Sequence, residues 1–162
     1  MDFVLADNAQ TGAIYFMASE EDLKTGLSQP WTSIGLDSNE MSLDGVIFEP
    51  HTHPRAFGSM PRFLGRYARD EHLLPLEMAI RKITSLPAQR EHLQDRGLLK
   101  PGYFADITIF DAAKIIDRAT FTNPAQLSEG VEAVIVNGQL EFDHGKLTGA
   151  TGGHFLRGRG HK

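Results

Sequence analysis

Apolar residues change their spacing along the chain, and the change predicts two kinds of structure. An almost continuous apolar run at residues 13–17 is typical of a strand buried on both faces, as in a parallel sheet. Ser19 with Asp22 three residues later predicts a capping box at a helix start, and Pro30 predicts the end of that helix. Residues 31–36 predict a second strand, so the first forty residues predict a right-handed βαβ unit.

The middle of the chain predicts a long loop followed by helices. Residues 38–61 are rich in proline and glycine and predict a loop that is either functional or disordered. An apolar stripe predicts an amphipathic helix to about residue 70, with members Met60, Phe63, Leu64 and Tyr67. Pro75 predicts the first turn of another helix through residue 83, and Pro87 the start of a short one through residue 92.

From residue 103 onward the pattern becomes that of strands. Alternation at 107–110, a β-branched run at 131–136 and alternation at 139–143 predict three strands. Asn137-Gly138 between the last two predicts a type I′ hairpin turn. We therefore expect an α/β piece over residues 1–86, a β-rich piece over 95–150 and an exposed flexible tail over 151–162. Neither piece forms a complete layer, which suggests partners missing in sequence or in space.

Composition narrows the functional classes. Sixteen Lys and Arg against twenty-one Asp and Glu give a net charge of -5, which argues against nucleic-acid binding. The absence of cysteine excludes a disulfide scaffold and Cys-ligated zinc within this sequence. No apolar stretch reaches membrane-spanning length, and the first residues lack the pattern of a signal peptide. We expect a soluble, cytoplasmic chain without membrane contact.

Asp37 is the first candidate for chemistry, because it follows the second predicted strand. Active sites of α/β folds cluster at the carboxyl ends of parallel strands. A carboxylate there can ligate a metal and accept a proton from water. A loop-capping aspartate is the alternative.

His51 and His53 form an H-x-H pair, and Arg55 follows Pro54. Two histidines could face one metal, but two ligands do not complete a zinc site. A structural role is the alternative, with His53 fixing the loop through a backbone hydrogen bond. Arg55 suits carboxylate recognition or a surface salt bridge. At helical spacing further along, Arg62, Arg66 and Arg69 predict a solvated face.

Several segments together resemble one enzyme family. They are residues 13–23, 30–37, 53–67, 83–90, 95–106 and 131–138. The third segment opens with His53-Pro54-Arg55, and the last reads Val-Glu-Ala-Val-Ile-Val-Asn-Gly. Together they are similar to the carboxyl-terminal part of N-acyl-D-amino-acid deacylases, or D-aminoacylases, in the amidohydrolase superfamily. The resemblance implies the last strands and helices of a truncated (β/α)₈ metal-dependent hydrolase barrel, followed by part of a small β-sandwich.

The same resemblance implies roles for individual residues. Asp37 matches the family's catalytic acid/base beside the metal, and so is also a weak metal ligand. Arg55 matches the arginine that holds the substrate carboxylate, with His53 as a second substrate-binding residue. The complete enzyme would use zinc and act on N-acyl-D-amino acids. The family's H-x-H metal ligands lie on its first barrel strand and do not correspond to His51 and His53, which leaves open whether this chain binds metal by itself.

Three hypotheses follow. The chain is the carboxyl-terminal segment of a zinc-dependent deacylase, inactive alone. Alternatively, it is a non-catalytic truncated module that covers its open strand edges by forming a homo-oligomer. In the third hypothesis it is a small independent hydrolase that uses His51, His53 and Asp37 on one metal.

Overall fold

Short helices come first along the chain, and a small antiparallel sheet follows them. The structure, a computed structural model, describes residues 2–6, 8, 15, 17–39, 42–43 and 52–156. The helices are α1 (Asp2–Ala6), α2 (Glu20–Ser28), α3 (Arg55–Arg62), a π-helical segment (Phe63–Asp70) continuous with α3, α4 (Leu76–Ile83) and α5 (Ser85–Arg90). The strands are β1 (Ile107–Phe110), β2 (Val131–Val136), β3 (Gln139–Asp143) and β4 (Lys146–Leu147).

Local signals in the sequence explain where α2 begins. The Ser19 hydroxyl accepts a hydrogen bond from the backbone N–H of Asp22 at 3.0 Å and donates one to the Asp22 carboxylate at 2.8 Å. This confirms the predicted capping interaction. The helix ends at Ser28, immediately before Gln29 and Pro30, as the proline predicts.

The sheet is a meander in which each strand pairs antiparallel with the next, in the order β1-β2-β3-β4. Asn137 and Gly138 have φ of +49° and +81°, the left-handed values that a type I′ turn requires, so the predicted hairpin is confirmed. A second tight turn, at His144 and Gly145, adds β4, which the sequence analysis did not predict. A single sheet is thus seen in the described part of the chain.

The buried core lies where the π-helical segment crosses α4 and the start of the β-rich piece. Phe63, Leu64 and Tyr67 from the π-helical segment pack with Ala79 of α4 and with Ile115. Gly65 allows the close approach, since a Cβ there would lie 2.1 Å from the carbonyl oxygen of Ile115. The helical and β-rich pieces therefore share one core.

The first predicted strands are not seen. Most of residues 13–17 lies outside the described residues, and the side chains of Tyr15 and Met17 are exposed, unlike those of a strand buried on both faces. Residues 32–36 are not paired as a strand, because no neighbouring strand lies beside them in the described ranges. The predicted βαβ unit is therefore absent from the part of the chain that the structure describes.

Two other expectations need correction. The predicted loop ends earlier than residue 61, since α3 already begins at Arg55, and the last short helix begins at Ser85 rather than at Pro87. The arginines predicted to form a solvated face are instead bonded to other elements. Arg62 pairs with Asp117, Arg66 with Glu20 and Glu71, and Arg69 donates to the carbonyl of Ile115.

Helices long and apolar enough to cross a bilayer are absent from the described ranges.

Candidate functional site

Asp37 lies at the end of the extended segment that follows α2. Its φ of +47° places a non-glycine residue in the left-handed region, which is uncommon and tends to occur at functional positions. Its side chain is 91% exposed, so the carboxylate is open to solvent and to a ligand. Five other non-glycine residues of the described ranges share a positive φ, His92 among them, so it is the exposure of the carboxylate that keeps Asp37 a candidate.

Arg55, the first residue of α3, forms an ion pair with this carboxylate. Its Nη2 lies 3.1 Å from Oδ2 of Asp37. Pro54, with φ of -55° and ψ of -20°, precedes the helix and fixes the backbone from which the Arg55 side chain extends. The structure therefore joins two residues that sequence reasoning selected separately.

His53 supports the same turn. Its Nδ1 accepts a hydrogen bond from the backbone N–H of Arg55 at 3.1 Å, which confirms the predicted backbone interaction. The imidazole meets Phe121 edge to face, with ring centres 5.2 Å apart. Burial lowers the pKa of His53, and the nearby charge of Arg55 lowers it further. The ring is therefore neutral at pH 7, with its proton on Nε2, because Nδ1 acts as the acceptor.

The donor set at this site falls short of a metal centre. His51, the other member of the H-x-H pair, lies outside the described residues. Within the described ranges, no group of three or more His, Asp or Glu side chains converges in a way that could hold an ion. Asp37 could supply one oxygen ligand, whereas zinc sites use three or four protein ligands. The described residues alone do not fit a zinc site.

Two residues that contact the site, or the segment that leads to it, were not predicted from the sequence. Phe121, which packs on His53, comes from a turn of the β-rich piece that carries no recognisable motif. Lys82 is fully buried in α4 and binds the segment that leads to Asp37. Its signal was available, since Lys82 lies three residues after the fully buried Ala79, on the core-facing side of an amphipathic helix.

Comparisons with known proteins agree on one family. The model of the amidohydrolase family matches residues 43–142. N-acyl-D-aspartate deacylase of Alcaligenes xylosoxydans xylosoxydans is 43% identical over 146 residues, which are 90% of this chain and 28% of that protein. D-aminoacylase of the same organism is 41% identical over 153 residues, 94% of this chain and 30% of that protein.

Solved structures give the same result. A crystal structure of D-aminoacylase, described as defining a novel subset of amidohydrolases, matches 91% of this chain with a TM-score of 0.80 and 39% identity, over 30% of its own length. N-acyl-D-glutamate deacylase from Bordetella bronchiseptica, solved with zinc and a phosphonate mimic of the tetrahedral intermediate, matches 84% with a TM-score of 0.70 and 33% identity, over 29% of its length. The chain thus spans less than a third of the relatives that it matches.

Proposed function

Because the chain belongs to the amidohydrolase family, we propose that it is the carboxyl-terminal part of a metal-dependent deacylase that hydrolyses the amide bond of N-acyl-D-amino acids. The relatives named as deacylases of N-acyl-D-aspartate and N-acyl-D-glutamate support this substrate class. The family model covers Arg55 and the hairpin at Asn137 but begins after Asp37, and the similarity to the relatives as whole sequences covers 90% of this chain or more for the first two.

The ion pair between Asp37 and Arg55 is the observation that carries the proposal. An N-acyl-amino acid presents a carboxylate and an amide on either side of one carbon atom, so its two recognition groups must lie within a few ångströms of each other. The 3.1 Å contact shows that both side chains reach one small volume. Arg55 already binds a carboxylate there, and its planar guanidinium suits the same contact with a substrate.

Each residue then has a distinct task. Arg55 binds the substrate carboxylate and orients the amide. Asp37, released from Arg55 by the substrate, accepts the proton of the attacking water and donates it to the leaving amine. His53, a neutral imidazole with its donor on Nε2, holds the backbone of Arg55 and contributes a hydrogen bond to substrate.

Zinc enters this proposal only through the relatives. The described residues supply too few ligands, so no step of the reaction is derived through a metal here. We propose that a complete deacylase contributes the remaining ligands from parts of the longer protein, and that the chain by itself is inactive.

One observation is common to the proposal and to the second hypothesis, a truncated module that associates with itself. Large apolar side chains are exposed at several places, among them Tyr15, Met17, Trp31, Leu99, Leu147 and Phe155. Where such side chains lie in one contiguous patch, they mark a surface that another protein surface covers. In a deacylase this cover is the rest of the enzyme, and in the alternative it is a second copy of the chain.

A chimera tests the proposal. The segment of the Alcaligenes N-acyl-D-aspartate deacylase that this chain matches is replaced by the chain, and hydrolysis of N-acetyl-D-aspartate is measured with zinc present. We expect turnover that Asp37→Asn lowers by about 10²-fold or more, the usual effect of losing a general acid/base. Asp143→Asn, an exposed aspartate on β3, is the matched control and should leave turnover unchanged.

The alternative predicts different results. A folded, zinc-loaded chimera without turnover, together with a stable dimer of the isolated chain in solution, would favour the self-associating module. Turnover that persists in Asp37→Asn would remove Asp37 from the proton transfer.

A further inference from the structure

The segment that leads to Asp37 is held by cations rather than by a neighbouring strand. Four consecutive backbone carbonyls, those of residues 29–32, each accept a hydrogen bond from a lysine or arginine of α4 or α5. The donors are Arg81, Lys82 and Arg90, which we call the carbonyl clamp. Backbone carbonyls need partners, and here side chains supply them in place of a sheet.

Lys82 is the centre of the clamp. Its ammonium donates to the carbonyl of Gln29, to the carbonyl of Thr32 at 2.9 Å and to the Thr32 hydroxyl at 2.6 Å. The residue is 0% exposed. Burial lowers the pKa of Lys82, and the charges of Arg81 and Arg90 lower it further. A buried ammonium is costly unless its hydrogen bonds are satisfied, and these three acceptors match its three donors.

The two arginines extend the clamp on either side. Arg81 donates to the carbonyl of Pro30 at 3.3 Å. Arg90 donates to the carbonyl of Trp31 and, at 2.8 Å, to the hydroxyl of Ser33. All of these acceptors lie just beyond the carboxyl end of α2, where positive charge is favourable. Together the clamp fixes the backbone of residues 29–33.

Other restraints on the approach to Asp37 are few in the described ranges. Ile34 packs against the core through its side chain. Arg55 holds Asp37 itself, but that ion pair is 43% and 91% exposed at its two side chains, and exposed pairs are weak and screened by salt. Lys82, the buried centre of the clamp, is the restraint that solvent screens least.

We propose that Lys82, with Arg90 and Arg81, is a positioning residue that sets the place of Asp37 through the backbone of residues 29–33. The inference rests on the proposed function of Asp37 as the acid/base, since it gives Lys82 a role in that reaction without contact to substrate. Because preorganised geometry governs the efficiency of a proton transfer, loosening this segment should affect turnover more than substrate binding.

The first test measures the segment directly in the 162-residue chain. Lys82→Met keeps a similar length and removes the charge and its donors, and Lys146→Met, exposed on β4, is the control. Amide order parameters of residues 31–37 should fall from about 0.85 toward about 0.6 in Lys82→Met alone, with the sheet unchanged. The anisotropy of Trp31, the single tryptophan of the sequence, should fall with them. Unchanged order parameters in a folded variant would overturn the clamp.

A second variant tests the clamp even if Lys82→Met does not fold. Arg90 is exposed, so Arg90→Gln leaves the core intact and removes the contact with the Trp31 carbonyl. We expect a smaller loss of order confined to residues 31–33, restored in part by Arg90→Lys, which keeps a charged donor. Equal loss in Arg90→Lys and Arg90→Gln would contradict a charge-assisted contact.

Kinetics in the active chimera test the positioning role. Lys82→Met should lower kcat about tenfold or more and leave KM within about twofold, since Arg55 and its substrate contact lie outside the clamp. Lowered order with kcat unchanged would overturn the positioning role. A chimera without turnover would overturn the proposed function, while the order parameters would still decide whether the clamp fixes the segment.

Discussion

Nη2 of Arg55 lies 3.1 Å from Oδ2 of Asp37, so a cation at the start of α3 and a carboxylate at the end of an irregular segment meet in one pair. Both side chains of the pair are accessible to solvent, unlike those of a buried ion pair. Its contribution to stability is at most about 1 kcal/mol, as for other exposed pairs. The cost of removing either residue should therefore appear in function rather than in folding.

Substitution of Arg55 tests whether the ion pair matters for function rather than for folding. Arg55→Lys keeps the charge but loses the planar pair of donors, so one hydrogen bond to a substrate carboxylate is lost. We expect KM for N-acetyl-D-aspartate to rise about 10- to 100-fold in the chimera, with a smaller change in kcat. The melting temperature should stay unchanged. Steady-state kinetics and calorimetry measure the two effects.

The control for Arg55 is another exposed, ion-paired arginine. Arg118 pairs with Glu129 on the β-rich piece, so Arg118→Lys alters the same chemistry away from the site. KM should not change in that variant. Equal increases in KM for both substitutions would show that the effect is general electrostatics and not carboxylate binding by Arg55.

A second prediction concerns His53 and pH. Burial and the charge of Arg55 lower the pKa of His53 below its ordinary value of 6.5, so the unfolded chain binds the proton more readily than the folded chain. The free energy of unfolding should therefore fall as the pH decreases from 6.5 toward the pKa of the folded state, and the contribution should level off below it. Protonation also breaks the hydrogen bond from Arg55 to Nδ1.

His53→Asn should flatten the pH dependence of unfolding in this window. His92→Asn is the control, since His92 is exposed and its φ of +59° suits asparagine. Denaturant unfolding at a series of pH values below 7 gives the comparison. If His53→Asn keeps the full slope of the unsubstituted chain, the histidine is not the group that titrates.

Patterns among neighbouring residues predicted individual helices and turns better than they predicted the parallel βαβ unit. The cap at Ser19, the stripe from Phe63 to Tyr67 and the turn at Asn137-Gly138 depend on neighbouring residues, and each is found in the structure. A parallel strand instead depends on backbone partners far away in sequence. The predicted strand finds no such partner in the described ranges, and the backbone carbonyls of residues 29–32 at and before its start accept from cationic side chains instead.

The residues of the candidate site likewise divide into those that local patterns predict and those that depend on contacts between distant parts of the chain. Residue type and spacing selected Asp37, His53 and Arg55, and the structure places these three together. Phe121 could not be selected in that way, because its relevance arises only from tertiary packing. The helical spacing from Ala79 marks Lys82 as core-facing, but its contact with residues 29 and 32 again arises only from tertiary packing. The left-handed backbone of Asp37 likewise has no signal in the adjacent residues, Leu36 and Ser38.

A third prediction concerns the junction between the helical piece and the hairpin. The carboxylate of Asp106 pairs with Arg96 and accepts the backbone N–H of Asn137 at 2.8 Å. The Arg96 side chain is 13% exposed, so losing its charged partner is costly. Asp106→Asn should lower the free energy of unfolding by about 1–2 kcal/mol. Glu129→Gln, in an exposed pair, should cost less than about 0.5 kcal/mol. Similar small losses in both would contradict the structural role of Asp106.

The last prediction uses two helical glycines with different surroundings. Gly65 lies in the π-helical segment against the chain at Ile115, and an added Cβ would lie 2.1 Å from that carbonyl oxygen. Gly26 lies in α2 with no atom within 4 Å of an added Cβ. Neither has a positive φ, so alanine is compatible with both backbones and the difference reports packing alone.

Gly65→Ala should lower the free energy of unfolding by about 1–3 kcal/mol, since rigid backbone must move to admit the methyl group. Gly26→Ala should raise it by about 0.5–1 kcal/mol, because alanine loses less conformational freedom in a helix. At about 2–4 °C per kcal/mol for a chain of this size, the two melting temperatures should shift in opposite directions. A Gly65→Ala chain as stable as the unsubstituted one would contradict the close contact between the π-helical segment and Ile115, and with it the shared core of the two pieces.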